Sequence, residues 1–304
     1  MSSSYRYLHL DVFTDTPFEG NQLAVFPEPQ GLTTEQMQTI TREMNFSECT
    51  FIFPAEAAGT DIRMRIFTPG EELPMAGHPV IGSTFALVQE GTIKPGQAGF
   101  VFGLNVGPTP VSLDWKGSDL DFAWMTQKNP EFGAPLKDRA AFASAIGVRE
   151  ADLVDAPVQI ISCGVAFLFA ALRTRSAVDG INVDVKAYDA LCTKAGIDNR
   201  PLFIFTTDGA GSQGDEAVYS RMLAPGFGIP EDPATGSASG PLGCHLLVHR
   251  LLERDRLAHI VSLQGVKMRR PSRIHISIDA SGDQITRVRV GGRSVQVGEG
   301  TLRV

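Results

Sequence analysis

The chain has 304 residues, a net charge of −7 and four widely spaced cysteines, Cys49, Cys163, Cys192 and Cys244. The acidic balance argues against nucleic acid as the main partner, and no apolar run is long enough to span a bilayer. The lack of a Cys-x-x-Cys pair and of an apolar signal core after Met1 predicts a cytoplasmic protein with reduced thiols, and the length suits two ordinary domains or one large one.

Alternating apolar and polar residues predict short strands in the first half of the chain, separated by turns and by two helices. The first helix begins at Thr33, where Thr33 and Gln36 have the spacing of a capping box, and it ends near Asn45. The second begins near Pro79, which suits a first helical turn, and runs to about residue 90. The predicted strands are residues 7–13, 22–26, the later part of 47–53, 62–67, 100–111 and 112–125, with breaks at Gly103, Gly107 and Pro108.

Glu48 is predicted to lie at the boundary between the first helix and the strand that follows it, next to apolar residues. Apolar neighbours make a carboxylate a stronger base, which suits general acid–base catalysis. On the local pattern alone, a solvated loop glutamate is the simpler interpretation. The adjacent Cys49 lacks the basic partner or helix start that activates a thiol, so it is interpreted as a small buried residue.

The start of the second helix combines Gly77, which permits close approach of a ligand to the backbone, with His78 and Pro79. Residues 231–242 have a similar design, with an acidic residue, small residues and a glycine before a helix. Unpaired backbone N–H groups at such helix starts bind anions, although a plain capped helix explains either stretch alone. Two stretches of one design favour a single ligand bound by both.

The second half of the chain repeats the order of elements of the first, without clear residue identity. Residues 129–135 are the best candidate for a linker. The predicted helices are 138–146, 184–195 and one that runs from the 231–242 stretch to about 254. The predicted strands lie within 158–172, 202–207 and 217–222 and in the segment from 260 onward, which has turns at 281–283, 291–292 and 298–300.

Two further motifs suggest cofactor or metal sites and are better explained otherwise. Residues 209–214 match the dinucleotide pattern G-x-G-x-x-G, but a strand pattern follows where that motif needs a helix, so a hairpin loop is predicted. His245 and His249 have zinc-ligand spacing on a helix, with Glu253 one turn on. They lack an obvious third ligand, so a solvated or subunit-facing helix stripe is predicted rather than a metal site.

Four separated stretches carry a family resemblance, namely residues 45–48, 73–79, 231–238 and 288–293, and Gly20-Asn21 fits it too. Together they resemble the PhzF-like isomerases of phenazine biosynthesis, which belong with the diaminopimelate epimerases and proline racemases. The resemblance implies an α+β fold of two similar halves, each a curved, mostly antiparallel sheet around a central helix, with the active site in the cleft between them.

In that fold the helices after Pro79 and Thr235 would be the two central helices. The halves would comprise residues 1–128, completed by C-terminal strands around 288–304, and residues 129–287. The resemblance also implies a cofactor-independent isomerase without a metal, which moves a proton on a small unsaturated or cyclic carboxylic acid and forms a homodimer.

The residue roles implied by the resemblance divide into two sets. Glu48, His78 and Asp232 would be catalytic, with Glu48 removing and returning the proton. Gly77, Gly236, Ser237 and Asn21 would bind the substrate, largely through backbone N–H groups at the two helix starts. Gln22, Met75 and Cys49 depart from residues common in the family.

Alternative functions come from other classes of protein. An amino-acid racemase of this fold uses a cysteine at each central-helix start, whereas this chain has Ala76 and Ala234 at the matching positions. A non-catalytic protein that binds small acids is a further alternative, against which the retained Glu48, His78 and Asp232 argue. A nicotinamide enzyme is the weakest alternative.

Overall fold

The computed structural model describes residues 3–209, 216–282 and 284–304. Residues 210–214 of the hairpin loop predicted at 209–214, and residue 283 of the turn predicted at 281–283, therefore lie outside the described residues. The chain divides into two compact units, of which unit 1 comprises Met1–Gln127 and Arg289–Val304 and unit 2 comprises Lys128–Val288.

Short strands and six α-helices make up most of the described residues. The strands are β1 (Ser4–Val12), β2 (Asn21–Phe26), β3 (Glu48–Pro54), β4 (Ile62–Phe67), β5 (Glu72–Leu73), β6 (Gly99–Leu104), β7 (Gly107–Lys116), β8 (Asp119–Gln127), β9 (Glu131–Pro135), β10 (Gln159–Ser162), β11 (Ala166–Ala171), β12 (Leu202–Thr206), β13 (Val218–Ala224), β14 (Ile229–Asp232), β15 (Ile260–Gln264), β16 (Ser272–Ser281), β17 (Gln284–Gly292) and β18 (Ser294–Arg303). The helices are α1 (Thr34–Met44), α2 (Gly77–Gln89), α3 (Arg139–Ala145), α4 (Arg175–Asp179), α5 (Val185–Ala195) and α6 (Gly236–Val248). Single 3₁₀ turns lie at Glu150–Asp152, Pro225–Phe227, Arg254–Arg256 and Val266–Met268.

The two units repeat one strand topology. In unit 1, β2 and β3 are parallel, β3 and β4 antiparallel, β4 and β6 parallel, and β6 and β7 antiparallel. Unit 2 has the same series in β11–β12, β12–β13, β13–β15 and β15–β16. The parallel crossovers contain α1 and α2 in unit 1, and α4 with α5 and then α6 in unit 2. Two similar mixed halves are therefore confirmed.

The helix α2 is the buried centre of unit 1. Ten of its 13 residues are buried, and it contacts β1, β2, β3, β8 and β18. A helix that is apolar on all sides needs such an enclosed position. The close packing requires Gly82, because a Cβ there would lie 2.6 Å from side-chain atoms of Val12 and Leu23.

The helix α6 has the corresponding position in unit 2. Eleven of its 13 residues are buried, and it contacts β10, β11 and β16. Gly243 allows the contact with β16, because a Cβ there would lie 2.7–2.8 Å from atoms of Ile276 and Ile278. A second core, on the other face of this sheet, includes Phe142, Val178 and Leu191 from α3, α4 and α5.

Local helix signals were reliable in this chain. The capping box of Thr33 and Gln36 is confirmed, with both reciprocal hydrogen bonds present, and Asn45 ends α1 in a left-handed conformation. Asp184 caps α5 through a hydrogen bond from the Ala187 N–H, and Gly196 ends that helix.

The predicted end of α6 near residue 254 is wrong. The helix ends at Val248 with His249 as its C-cap. Arg250 then adopts a left-handed conformation with φ of 54°, and the Leu251 N–H donates to the Leu246 carbonyl oxygen. These contacts form a Schellman motif, which usually has glycine where Arg250 stands, so no local signal marked the helix end.

Several strand boundaries also differ from the predictions. Part of the proposed linker is strand β9, which pairs with β10. The break predicted between residues 111 and 112 lies instead after Lys116, where Gly117 turns with φ of 64°. The turn predicted at 298–300 is part of β18. Gly300 faces Tyr7 there, and a Cβ would lie 2.6 Å from the Tyr7 hydroxyl.

The predicted solvated stripe of His245 and His249 is wrong for His245, which is completely buried. Its Nε2 lies 3.2 Å from the Pro157 carbonyl oxygen, and the Nε2 of His249 lies 3.2 Å from Gln159 Oε1. Burial, together with the neighbouring His249, lowers the pKa of His245 to about 4. Both rings are packing groups of unit 2.

Acidification should destabilise the fold through these buried rings. The pKa of His245 is about 4 in the folded chain and about 6.5 in the unfolded chain. At pH values between the two, the unfolded chain binds a proton at His245 that the folded chain does not bind. The contribution of the neutral His245 ring to the free energy of unfolding is therefore complete above about pH 6.5 and declines as the pH falls toward 4. We expect a loss of about 1–2 kcal/mol in the free energy of unfolding between pH 6.5 and 5 from this group.

Denaturant titrations of wild type and His245→Gln at both pH values measure this effect. Glutamine can still donate to the Pro157 carbonyl oxygen and does not titrate, so the variant should lose less stability on acidification than the wild type. An equal pH dependence in the two proteins would show that His245 does not contribute in this way.

Candidate active site

Three of the predicted site residues meet at one edge of unit 1. Strands β2 and β3 run parallel with Leu23 opposite Glu48, so Asn21 begins β2 close to the place where Glu48 begins β3. His78 is the second residue of α2, and Gly77 begins that helix. The starts of two parallel strands and of the central helix thereby bring an amide, a carboxylate and an imidazole together.

These three side chains are in contact in a nearly water-free position. His78 Nε2 lies 3.3 Å from Glu48 Oε2, and His78 Nδ1 lies 3.3 Å from the Asn21 amide nitrogen. Asn21 and His78 are buried, whereas the Glu48 side chain is 15% exposed. The contact between Glu48 and His78 lacks the alignment of a full hydrogen bond. Such looser geometry is common in catalytic groups without a bound substrate.

The charge state of His78 decides what this contact is. Burial lowers the pKa of His78 to about 3, against a smaller opposing effect of the Gln22 backbone, so the ring is neutral at pH 7. A carboxylate can only accept hydrogen bonds, so its contact is favourable when Nε2 carries the ring hydrogen. Nδ1 is then an acceptor, which suits the amide of Asn21. The Glu48–His78 contact therefore joins a carboxylate to a neutral ring and is not an ion pair.

The start of α2 has an apolar N-cap residue. Its N-cap is Ala76, with φ of −149°, which makes no side-chain capping hydrogen bond. Ala76 has no polar atom that could accept from the first N–H groups, as serine or aspartate would at this position. The partial positive charge of the helix start therefore lies beside Glu48 and His78.

The predicted residues of unit 2 also lie together, at the start of α6. Asp232 is buried at the end of β14, and its Oδ2 accepts a hydrogen bond of 2.5 Å from the Thr235 hydroxyl. The preceding Glu231 forms a bidentate ion pair with Arg221, with N–O distances of 3.0 and 2.8 Å. Gly236 is buried at the first position of the helix and Ser237 follows it, half-buried.

Thr235 is the N-cap of α6 but does not cap it. Threonine usually accepts from the N–H groups of the first turn, whereas this hydroxyl donates to Asp232 and accepts from Gln264 Nε2 at 3.0 Å. Sequence reasoning missed Thr235, Gln264 and Arg221. Gln264 lies 29 residues beyond Thr235, in a strand without any motif, so no local signal could have identified it.

The cysteines are unsuited to catalysis. All four are buried free thiols, and burial raises the pKa of Cys49 to about 12 and also the pKa of Cys192. The contact with the neighbouring Cys163, together with burial, raises the pKa of Cys244. Cys49 is therefore a packing residue, as predicted, although it directly follows Glu48.

The described parts of the chain show neither a metal-binding cluster nor a membrane-spanning helix. Those residues contain no group of three histidine, cysteine, aspartate or glutamate side chains arranged to hold a metal ion. Within the same residues, no helix has the length and apolar character needed to cross a bilayer.

Solved structures of two kinds share this architecture. A phenazine biosynthesis protein of the PhzF family from Bacillus anthracis superposes with a TM-score of 0.86, at 23% identity and over 99% of each chain. A hydroxyproline epimerase from Agrobacterium vitis superposes with a TM-score of 0.65, at 12% identity and over 99% of this chain and 93% of the other. The predicted fold of two similar α+β halves, shared with epimerases and racemases, is thereby confirmed.

The sequence comparisons identify the family within this fold. Residues 10–300 match the family model described as phenazine biosynthesis-like protein. The chain is also 34% identical over 299 residues to trans-2,3-dihydro-3-hydroxyanthranilate isomerase of Pseudomonas aeruginosa, covering 97% of this chain and 98% of the relative. The protein belongs to the phenazine biosynthesis-like family and is an isomerase of the PhzF type.

Proposed function

We propose that this isomerase moves a proton between two carbon atoms of a small unsaturated or cyclic carboxylic acid, with Glu48 as the proton carrier. Glu48 removes a proton from one carbon as the electron pair of that C–H bond shifts into the conjugated system. It then returns the proton to a second carbon, so that the double bond moves and no electrons are gained or lost. The reaction requires no oxidant, reductant or second substrate.

The observation that carries this proposal is the buried contact of Glu48 with a neutral His78. A base that takes a proton from carbon needs to be shielded from water and oriented by a fixed partner. His78 Nε2, 3.3 Å from Glu48 Oε2, supplies that partner. Asn21, whose amide nitrogen lies 3.3 Å from Nδ1, holds the other side of the ring.

Substrate binding is assigned to the two helix starts. In each unit the helix start would contribute to substrate binding, through Gly77 and His78 at α2 and through Gly236 and Ser237 at α6, because helix starts favour anions. Asp232 would orient a polar substituent of the substrate, and Asn21 would contribute from the edge of β2. The relative from Pseudomonas aeruginosa is named for an unsaturated cyclic acid, which supports this class of substrate.

A racemase of the two-thiol type is disfavoured by the chemistry of the helix starts. Ala76 and Ala234 cannot carry a proton, and the thiols of the chain are buried. Glu48 is a single carrier beside one helix start, which suits removal and return of one proton by one group.

Deuterium incorporation in heavy water tests the proposal with the wild-type protein and no added cofactor. We expect NMR to detect carbon-bound deuterium in an unsaturated or cyclic acid, with trans-2,3-dihydro-3-hydroxyanthranilate as the first probe and related acids as the panel. Proline and diaminopimelate, the substrates of two-thiol relatives, should exchange no α-proton. Binding of an acid with neither isomerisation nor exchange, or exchange limited to the amino acids, would contradict the proposal.

Two properties of the whole protein complete the proposal. We propose a homodimer located in the cytoplasm, as the family resemblance and the reduced thiols suggest. Light scattering on the purified chain should give twice the mass of 32.7 kDa, and a mass of 32.7 kDa would refute the dimer.

A further inference from the structure

Both polar atoms of the Gln264 side chain form hydrogen bonds with the loop that carries Asp232. Gln264 is completely buried at the end of β15. Its Nε2 donates to the Asp232 carbonyl oxygen at 2.8 Å and to Thr235 Oγ1 at 3.0 Å. Its Oε1 accepts from the Thr235 N–H at 3.2 Å. One amide thereby bonds both ends of the four-residue segment from Asp232 to Thr235.

These partners fix the direction of each hydrogen bond. A backbone carbonyl can only accept and a backbone N–H can only donate, so the two ends of the Gln264 amide cannot be exchanged. The Thr235 hydroxyl must accept from the Gln264 NH₂ group. Its own hydrogen is then available for Asp232 Oδ2, 2.5 Å away. The chain of donors runs from Gln264 through Thr235 to the Asp232 carboxylate.

The backbone beside Gln264 contacts the same loop. Gly265 has φ of +77°, and a Cβ there would lie 2.6 Å from the Pro233 carbonyl oxygen. On the other side of the loop, the bidentate pair of Arg221 with Glu231 holds the residue before Asp232. The turn into α6 is therefore held by side chains and backbone that no local sequence motif marks.

We propose that Gln264 is a positioning residue of the isomerase, which acts through Thr235 to hold the Asp232 carboxylate in the orientation that the substrate requires. This inference rests on the proposed function of Asp232 and adds a residue to which sequence analysis assigned no role. Gln264 itself does not touch the substrate.

The test is a comparison of Gln264→Leu in two backgrounds. In the wild-type background we expect kcat/KM to fall by about 10- to 100-fold. The Asp232 carboxylate then loses its fixed donor, and the loop from Asp232 to Thr235 loses the hydrogen bonds that hold its two ends. In the Asp232→Asn background the same change should lower kcat/KM by a clearly smaller factor, because the carboxylate that Gln264 positions is already lost and only its bonds to the loop backbone remain. The assay is turnover of the acid that shows deuterium exchange with the wild-type protein.

Gln159→Leu is the matched control. Gln159 is also a buried glutamine of unit 2, with its Nε2 on the Gly133 carbonyl oxygen and its Oε1 on His249. Its replacement should lower the melting temperature and leave kcat/KM within about twofold. Equal losses of kcat/KM in Gln159→Leu and Gln264→Leu would show that general destabilisation explains the loss in Gln264→Leu, and would overturn the inference.

Two further outcomes separate this inference from the proposed function. Equal effects of Gln264→Leu with and without Asp232→Asn would overturn the positioning role while leaving the role of Glu48 intact. Wild-type turnover in Asp232→Asn alone would overturn the roles of both Asp232 and Gln264. If Gln264→Leu does not fold, Gln264→Glu keeps the size of the side chain and replaces the donor by an acceptor. It should show the same dependence on Asp232.

Discussion

Replacing Glu48 by glutamine should reduce turnover by about 10²–10⁴-fold, the usual contribution of a general acid–base group. Glutamine keeps the size of the side chain and can still contact His78, but it cannot take a proton from carbon. The Glu48 side chain is 15% exposed at the start of β3. Because glutamine fills the same space and removes a largely buried charge, the substitution should change stability little compared with activity. Steady-state kinetics and a thermal melt on the same preparation measure both effects.

Glu43→Gln supplies the matched control for this prediction. Glu43 is an exposed residue of α1, and its replacement removes the same charge without touching the site. Turnover should stay within about twofold of wild type. Near-wild-type turnover in Glu48→Gln, or an equal loss in Glu43→Gln, would show that Glu48 is not the proton carrier.

His78→Leu should lower turnover by about 10- to 100-fold, because Glu48 loses the donor that faces its buried oxygen. His78→Gln should retain activity within about tenfold of wild type, since the glutamine Nε2 can occupy the position of the ring Nε2. This difference follows from the charge state of the ring. Burial lowers the pKa of His78 to about 3, so at pH 7 it acts as a neutral hydrogen-bond donor rather than as an acid.

Kinetics of the two His78 variants across pH 5–9 decide this point. We expect the profile of His78→Gln to have the shape of the wild-type profile. Equal losses in both variants, together with the disappearance of an ionisation from the profile, would instead show that the ring itself transfers a proton.

Local signals in the sequence predicted several elements correctly. The capping box at Thr33 and the Asp184 cap depend on residues three positions apart, so both could be recognised without knowledge of the fold. The two buried helices could be recognised from their small and apolar residues, and the family resemblance then supplied the arrangement of the sheets around them.

Features determined by distant contacts could not be predicted. Arg250 ends α6 in a conformation usual for glycine, and Gly300 marks a close approach to Tyr7 rather than a turn. The stripe pattern of His245 suggested one exposed helix face, but the sheet of unit 2 covers that face as well.

The candidate site also combines residues that lie in recognisable motifs with residues that only distant contacts bring together. Glu48, His78 and Asp232 were found because they lie in the motifs that carry the family resemblance. Thr235 and Gln264 belong to the same hydrogen-bonded loop, but a plain capped helix already explained the pattern of residues 231–242, so neither residue was singled out. Only the folded chain brings the end of β15 to this loop, so the donor chain to Asp232 has no sequence signature.

The exchange half-reaction in heavy water tests the role of Glu48 most directly. The rate at which substrate gains carbon-bound deuterium is measured by NMR for wild type and Glu48→Gln, alongside the rate of isomerisation. If Glu48 removes and returns the proton, both rates should fall together by about 10²–10⁴-fold in the variant. Exchange at the wild-type rate in Glu48→Gln would contradict the account, because another group would then be removing the proton.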